Sequence, residues 1–161
     1  MMLSQTRELQ RVLQDRVQLI MNDRTDLCLA AGFDGVHLGQ DDLSPTAAYN
    51  IFRAAGQPDL WIGFSAHNPD QLRAADQVPV NYLAVGPVFA TSSKANPDPV
   101  IGLEGVRRAR QITSKPLVAI GGITRQNCKS VLEAGADCVA VISDVVESPR
   151  KTTEEFLRIL G

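Results

Sequence analysis

The chain has 161 residues, of which 44% are hydrophobic and 21% charged, and a formal net charge of −2. That is enough chain for one ordinary domain with its own core. The charge balance argues against a nucleic-acid surface, and no apolar run approaches the roughly 18 residues that a membrane span needs. In chain order, an amphipathic helix is expected near residues 4–15, and its sequence MMLSQTRELQRVLQ lacks the apolar core of a signal peptide, so a cytoplasmic location is expected. Apolar runs of strand type follow at Val17–Met21, Gly35–Leu38, Trp61–Phe64, Tyr82–Val85, Leu117–Ile120 and Cys138–Ile142. Amphipathic segments lie between and after them, near 24–32, 45–55, 69–77, 102–113, 124–134 and 150–160. Continuous apolar strands alternating with helices predict a parallel sheet covered by helices. The longest gap follows the fourth strand and contains Pro87, Pro97 and Pro99, which marks an irregular, functional loop. No linker interrupts the pattern, so residues 1–161 read as one domain.

Three turns between helix and strand look alike: Ala31–Gly35, Val78–Tyr82 and Ala134–Cys138. The glycines of AGFDG and AGADC suit the left-handed position that ends a helix. Repeated βα units with such turns predict an α/β fold of (β/α)8 TIM-barrel type, with a doubly wound sheet as the rival. Eight units need about 200 residues or more. Six strands are legible here, so the expected barrel is incomplete. Cys28, Cys128 and Cys138 are scattered without metal-ligand spacing and read as buried reduced thiols.

In a parallel barrel the chemistry sits at the C-terminal ends of the strands. There this sequence places Asn22-Asp23, then Gly39-Gln40-Asp41-Asp42, then Ser65-Ala66-His67. The fourth strand leads to Gly86-Pro87 and to Thr91, Ser92, Ser93 and Lys94. The last two lead to Gly121-Gly122 and to Ile142-Ser143-Asp144. Carboxylates at two neighbouring strand ends, Asp23 with Asp41 or Asp42, can share Mg²⁺, which prefers one or two carboxylates plus water and phosphate oxygens. They can equally cap the helices that follow, and spacing leaves both readings open. Three hydroxyls beside a lysine suit a phosphate ester or pyrophosphate. Gly121-Gly122 allows a close backbone approach to a ligand, and Ile142-Ser143 at the last strand completes a phosphate cup. His67 reads as a structural group or a base, and His37 as a packing residue within its strand.

Together the strings LIMNDRTDLCLAAGFDGVHLGQDDL, GFSAHNPDQL, YLAVGPVFATSSK, VAIGGIT and GADCVAVIS resemble the thiamine-phosphate synthase family, in that family's order. The resemblance implies a (β/α)8 barrel that joins hydroxymethylpyrimidine pyrophosphate to a thiazole phosphate, releasing pyrophosphate. It implies Asn22, Ser65 and Lys94 as contacts to the pyrimidine diphosphate, with Asp23 and Asp42 as the Mg²⁺ ligands. It implies Thr91, Ser92 and Ser93 as the thiazole-phosphate loop, with serine where a second threonine is common, and Gly122, Ile142 and Ser143 as the phosphate cup. Asp23, Asp42 and Lys94 then carry the catalysis. No side-chain nucleophile is implied, because pyrophosphate leaves first and the thiazole nitrogen traps a pyrimidine cation. The implied partners are these two small molecules, with no nucleic acid and no membrane.

One departure stands out. Complete members begin with two more βα units, the second of which ends in a Gln-x-Arg-x-Lys diphosphate grip, and this sequence has no substitute for it. The expectation is a synthase lacking its first quarter, with open strand edges through which copies could self-associate. Two alternatives remain beside the transferase: a thiazole tautomerase, which tends to lose the aspartates and to carry histidine where Pro87 stands, and a degenerate binding module. A generic phosphate-binding barrel explains the glycine pair and Ser143 but gives no reason for Asn22-Asp23 with Asp42.

Overall fold

A computed structural model describes residues 2–13, 16–91 and 98–161. The elements follow in strict alternation: α1 (Met2–Leu13), β1 (Ile20–Asn22), α2 (Thr25–Ala31), β2 (Gly35–Leu38), α3 (Pro45–Ala54), β3 (Trp61–Ala66), α4 (Pro69–Asp76) and β4 (Tyr82–Val85). They continue with α5 (Gly102–Ile112), β5 (Leu117–Ile120), α6 (Cys128–Glu133), β6 (Cys138–Ala140), α7 (Ser143–Val146) and α8 (Pro149–Leu160). The chain forms two compact units, Met1–Phe64 with Val78–Asn81, and Ser65–Gln77 with Tyr82–Gly161. Among the described residues no helix is long and apolar enough to cross a membrane.

In the first unit β1, β2 and β3 run parallel, with Ile20 opposite Gly35, Asn22 opposite His37, and Leu38 opposite Phe64. Val36 and Leu38 of β2, Phe52 of α3 and Ile62 of β3 are buried together with Cys28. Burial, with a smaller contribution from Asp34, pushes the Cys28 thiol up to about 11, which leaves it an unreactive packing group. Helix α2 ends at Gly32 in the left-handed conformation, φ 68° and ψ 43°, as the AGFDG string predicts. The Gly32 carbonyl accepts the Gln10 side-chain amide of α1 at 2.7 Å.

In the second unit β4, β5 and β6 run parallel, with Leu83 opposite Leu117 and Val118 opposite Cys138. Its core is Val88, Val106, Ala119, Ile123, Cys128, Val131 and Phe156. Cys138 is exposed rather than buried. It opens β6, which among the described residues pairs with β5 only.

The three look-alike turns share one hydrogen-bond device. The residue before β2, Asp34, donates its backbone N–H to the Leu19 carbonyl at 2.9 Å and accepts the Leu19 N–H on Oδ2 at 2.7 Å. Asn81, before β4, does the same to Ile62 at 2.7 and 2.8 Å. Asp137, before β6, does the same to Leu117 at 2.9 and 2.7 Å. An aspartate or asparagine thus clamps both backbone groups of one residue at the base of the preceding strand. The clamp also explains where the sequence-based boundary of β1 fails. Val17 is 51% exposed, and the strand begins only after Leu19, so the expected Val17–Met21 becomes Ile20–Asn22.

Asp137 carries a second load, because its Oδ2 also accepts Arg110 Nη1 at 2.8 Å. Replacing Asp137 with alanine leaves the Leu117 N–H, on a fully buried residue, without its partner. Asp137→Ala is expected to lower unfolding free energy by about 1–3 kcal/mol, and Asp137→Asn, which keeps an acceptor, by less than half as much. Chemical denaturation of the two variants checks the order, and equal losses would show that the clamp contributes nothing.

Candidate active site

In the first unit the C-terminal ends of β1 and β2 bring Asn22, Asp23 and Asp42 together. Asn22 is the last residue of β1 and lies opposite His37. The Asp23 N–H bonds the His37 carbonyl at 2.8 Å, and the Arg24 N–H returns to the Asn22 carbonyl at 2.8 Å. That closes a three-residue turn centred on Asp23 at φ 63°, the one non-glycine residue with positive φ among those described. Such a turn is strained. It places the Asp23 carboxyl beside that of Asp42.

Asp42 is fixed independently, its Oδ2 accepting the Gly39 N–H at 2.7 Å. Neither aspartate caps a helix. Ser44 caps α3, accepting the Ala47 N–H at 3.3 Å, and α2 starts behind Arg24 with no side-chain cap. Of the two readings that spacing left open, capping is therefore excluded. The acid that acts on Asp23 is Asp42 rather than Asp41.

The electrostatics of the pair are unfavourable as they stand. Partial burial, then the Asp42 charge and the shared hydrogen bond, hold the Asp23 carboxyl above the usual carboxylate range. The imidazole of His37 is half-buried. Burial pushes its pKa down, with Asp42 opposing the shift. Two carboxylates pressed together at a strand rim are a donor set that one small divalent cation satisfies, with water and phosphate oxygens completing its shell. Among the described residues no group of three or more His, Cys, Asp or Glu offers another metal site.

The second unit carries Ser65, Thr91, Gly122, Ile142 and Ser143. Ser65 is half-buried near the end of β3, and Thr91 is half-buried beyond β4. Ser92, Ser93 and Lys94 lie outside the described residues. Gly121 and Gly122 follow β5 at φ 98° and 62°. Their open side is filled by this chain's own loop. A Cβ on Gly121 would sit 2.5 Å from Pro87 Cβ, and one on Gly122 2.5 Å from the Ala90 carbonyl oxygen. The Val88 and Phe89 N–H groups bond the Ile120 and Gly121 carbonyls at 2.9 and 3.0 Å. Residues 87–90 thus approach the glycine pair closely, which seats the segment leading to Thr91 against Gly122.

Ile142 and Ser143 are not at a strand tip. β6 stops at Ala140, Ile142 is 58% exposed, and Ser143 opens the short α7, which the sequence reading missed. Helix α6 likewise starts at Cys128 rather than near 124, because Asn127 Oδ1 accepts the Thr124 N–H at 2.8 Å and holds residues 124–127 in a turn. His67 is bound as a structural group, with Nδ1 3.1 Å from the Gly86 carbonyl and 3.5 Å from Asp98 Oδ2.

Residues 1–145 match the model of the family described as Thiamine monophosphate synthase. A thiamine-phosphate synthase of Koribacter versatilis (strain Ellin345) is 59% identical over 158 residues, covering 98% of this chain and 73% of that protein. The thiamine-phosphate synthase of Albidiferax ferrireducens is 45% identical over 127 residues, covering 79% of this chain and 56% of that protein. Among solved structures, the thiamine phosphate pyrophosphorylase from Pyrococcus furiosus superposes with a TM-score of 0.87 at 36% identity, covering 99% of this chain and 75% of that one. The fold is therefore the α/β, TIM-barrel type of that enzyme, with six parallel strands described here.

A carboxyl whose folded-state pKa is raised adds stability that is full below its unfolded value and is lost as pH rises through the folded one. Asp23→Asn removes that dependence, and asparagine tolerates the left-handed backbone at this position. Without divalent metal at neutral pH, Asp23→Asn is expected to be at least as stable as the parent. Mg²⁺ at a hundredfold over its Kd is expected to stabilise the parent by about 2.7 kcal/mol and the variant far less. Thermal melts with and without Mg²⁺ check this, and equal Mg²⁺ shifts in both proteins would refute the carboxylate pair as a cation site.

Proposed function

Because this chain belongs to the thiamine monophosphate synthase family, a family of transferases in thiamine biosynthesis, we propose that it moves the hydroxymethylpyrimidine group from its pyrophosphate to the ring nitrogen of a thiazole phosphate. The bond from the pyrimidine methylene to the pyrophosphate oxygen breaks, and its electron pair leaves with pyrophosphate. The thiazole nitrogen lone pair then forms the new carbon–nitrogen bond. The observation that carries this reading is the contact between the Asp23 and Asp42 carboxyls at the ends of β1 and β2. A tautomerase that handles no pyrophosphate has no use for such a pair.

Asp23 and Asp42 would hold Mg²⁺, which when bound offsets charge on the departing pyrophosphate. Asn22 and Ser65 would hydrogen-bond the pyrimidine diphosphate, and the Lys94 ammonium would neutralise the leaving oxygens. Thr91, Ser92 and Ser93 would bind the thiazole phosphate by their hydroxyls, with Gly122, Ile142 and Ser143 closing around it. Both tasks are positioning and charge stabilisation, so no nucleophilic side chain is required. A cytoplasmic location and association of copies through the edges of β1 and β6 belong to the same proposal.

The test is pyrophosphate release with both substrates and Mg²⁺. Asp42→Asn is expected to cut turnover more than a hundredfold. Lys94→Ala is expected to lower kcat by about 10²–10³-fold with an unchanged melting temperature. Turnover by Asp42→Asn at an undiminished Mg²⁺ requirement would overturn the metal assignment, and a large loss of stability in Lys94→Ala would make that lysine structural.

A further inference from the structure

In the second unit a single carboxylate joins the loop after β5 to the start of α7. Asp144 Oδ2 accepts the backbone N–H of Arg125 at 3.1 Å and its Nε–H at 3.0 Å. The Asp144 side chain is only 16% exposed. The guanidinium continues through Nη1 to Glu155 of α8, whose other oxygen lies 4.0 Å from Lys151 Nζ. These bonds hold the Glu155 carboxyl below the usual carboxylate range, and Glu155 and Asp144 together push the Arg125 guanidinium up. On the loop side Asn127 donates Nδ2–H to the Gly122 carbonyl at 3.1 Å while accepting the Thr124 N–H. Residues 122–127 therefore form a braced turn, and Arg125 within it is tied to the residue beside Ser143.

We propose that Asp144, acting through Arg125, is a positioning residue for the phosphate-ester subsite, setting the spacing between Gly122 and Ser143. The inference rests on the reading that those two residues hold a phosphate. Ser143 opens a helix of four residues, Ser143–Val146. One turn of helix has no stability of its own and takes its position from tertiary contacts. A phosphate subsite loses affinity when its donors drift by a fraction of an ångström. An exposed ion pair could not supply that precision. A shielded carboxylate that accepts a backbone and a guanidinium N–H from one residue can, because both bonds are directional and one is charge-assisted. Asp144 itself spends this oxygen on Arg125, so its part is to place its neighbour.

The test is calorimetric titration of the thiazole phosphate into the parent chain, Asp144→Ala, Asp144→Asn and Ser143→Ala, with the Mg²⁺-induced melting shift recorded for each. Asp144→Ala is expected to weaken binding at least tenfold and Asp144→Asn, which keeps one acceptor, less than that. The Mg²⁺ shift, read at Asp23 and Asp42, is expected to stay as in the parent. Parent-like affinity in Asp144→Ala, with Ser143→Ala impaired, overturns the positioning role and leaves the proposed function standing. Absence of binding by the parent chain, or parent-like binding by Ser143→Ala, overturns the phosphate reading and this inference with it. If Asp144→Ala fails to fold, Arg125→Gln keeps the backbone bond and removes only the guanidinium. It is expected to weaken binding severalfold, and unchanged affinity there refutes the proposal.

Discussion

The clamp at the base of the strands is the constraint on which the rest depends. Asp34, Asn81 and Asp137 each seize both backbone groups of one residue, Leu19, Ile62 and Leu117. A strand one residue out of register turns every side chain to the other face. Fixing the base fixes what emerges at the rim. From Leu19 the strand runs to Asn22 and Asp23, from Ile62 to Ser65, and from Leu117 to Gly121 and Gly122. The strands are only three to six residues long, so a residue fixed at the base lies close to those at the rim. A buried N–H without its acceptor costs about 1–3 kcal/mol, a large share of the margin by which such a domain is folded.

At the rim the local terms are unfavourable rather than stabilising. Asp23 adopts a left-handed backbone, which is costly for any non-glycine residue, and its carboxyl faces another acid. In a purely structural turn, glycine at position 23 would relieve the strain and remove the repulsion. Their coincidence is the physical ground on which the pair is proposed as a functional feature. The cost is bounded because each acid is anchored by backbone bonds that do not involve the other, Asp42 through the Gly39 N–H and Asp23 through the ladder to His37.

Much of this was legible in the sequence, and the failures are local. Alternating apolar runs locate all six strands because a buried parallel strand is apolar on both faces. The end of α2 at Gly32 is legible because only a residue free of Cβ strain sits comfortably at φ 68°. The start of β1 is not, because Val17 is as apolar as a strand residue and nothing local records that Asp34 will pair with Leu19. The glycine pair after β5 reads from the sequence as a place of close backbone approach. Periodicity cannot say which backbone arrives, and here it is residues 87–90. The spacing of Asp23 and Asp42 could not separate metal binding from helix capping, a choice that depends on which side chain meets which N–H. Arg125 and Asp144 carried one hint only, an acid directly after Ser143, and their meeting spans 19 positions of sequence.

On the proposed function, little of the site needs to look catalytic. A reaction that needs a base or nucleophile leaves a perturbed histidine, cysteine or lysine in a cleft. Here Cys28 is buried and unreactive, and His67 is occupied by the Gly86 carbonyl and Asp98. A departing pyrophosphate followed by capture of a cation requires charge compensation on one side and a held nucleophile on the other. Carboxylates, hydroxyls and tight turns suffice for both, provided that each is placed to within tenths of an ångström. Precision of backbone placement then takes over the role that a reactive side chain plays elsewhere. That is consistent with a chain in which the strand-base clamps and the Asp23 turn rest on bonds to backbone N–H groups, and the Asp144 bridge rests on one such bond and the Arg125 guanidinium.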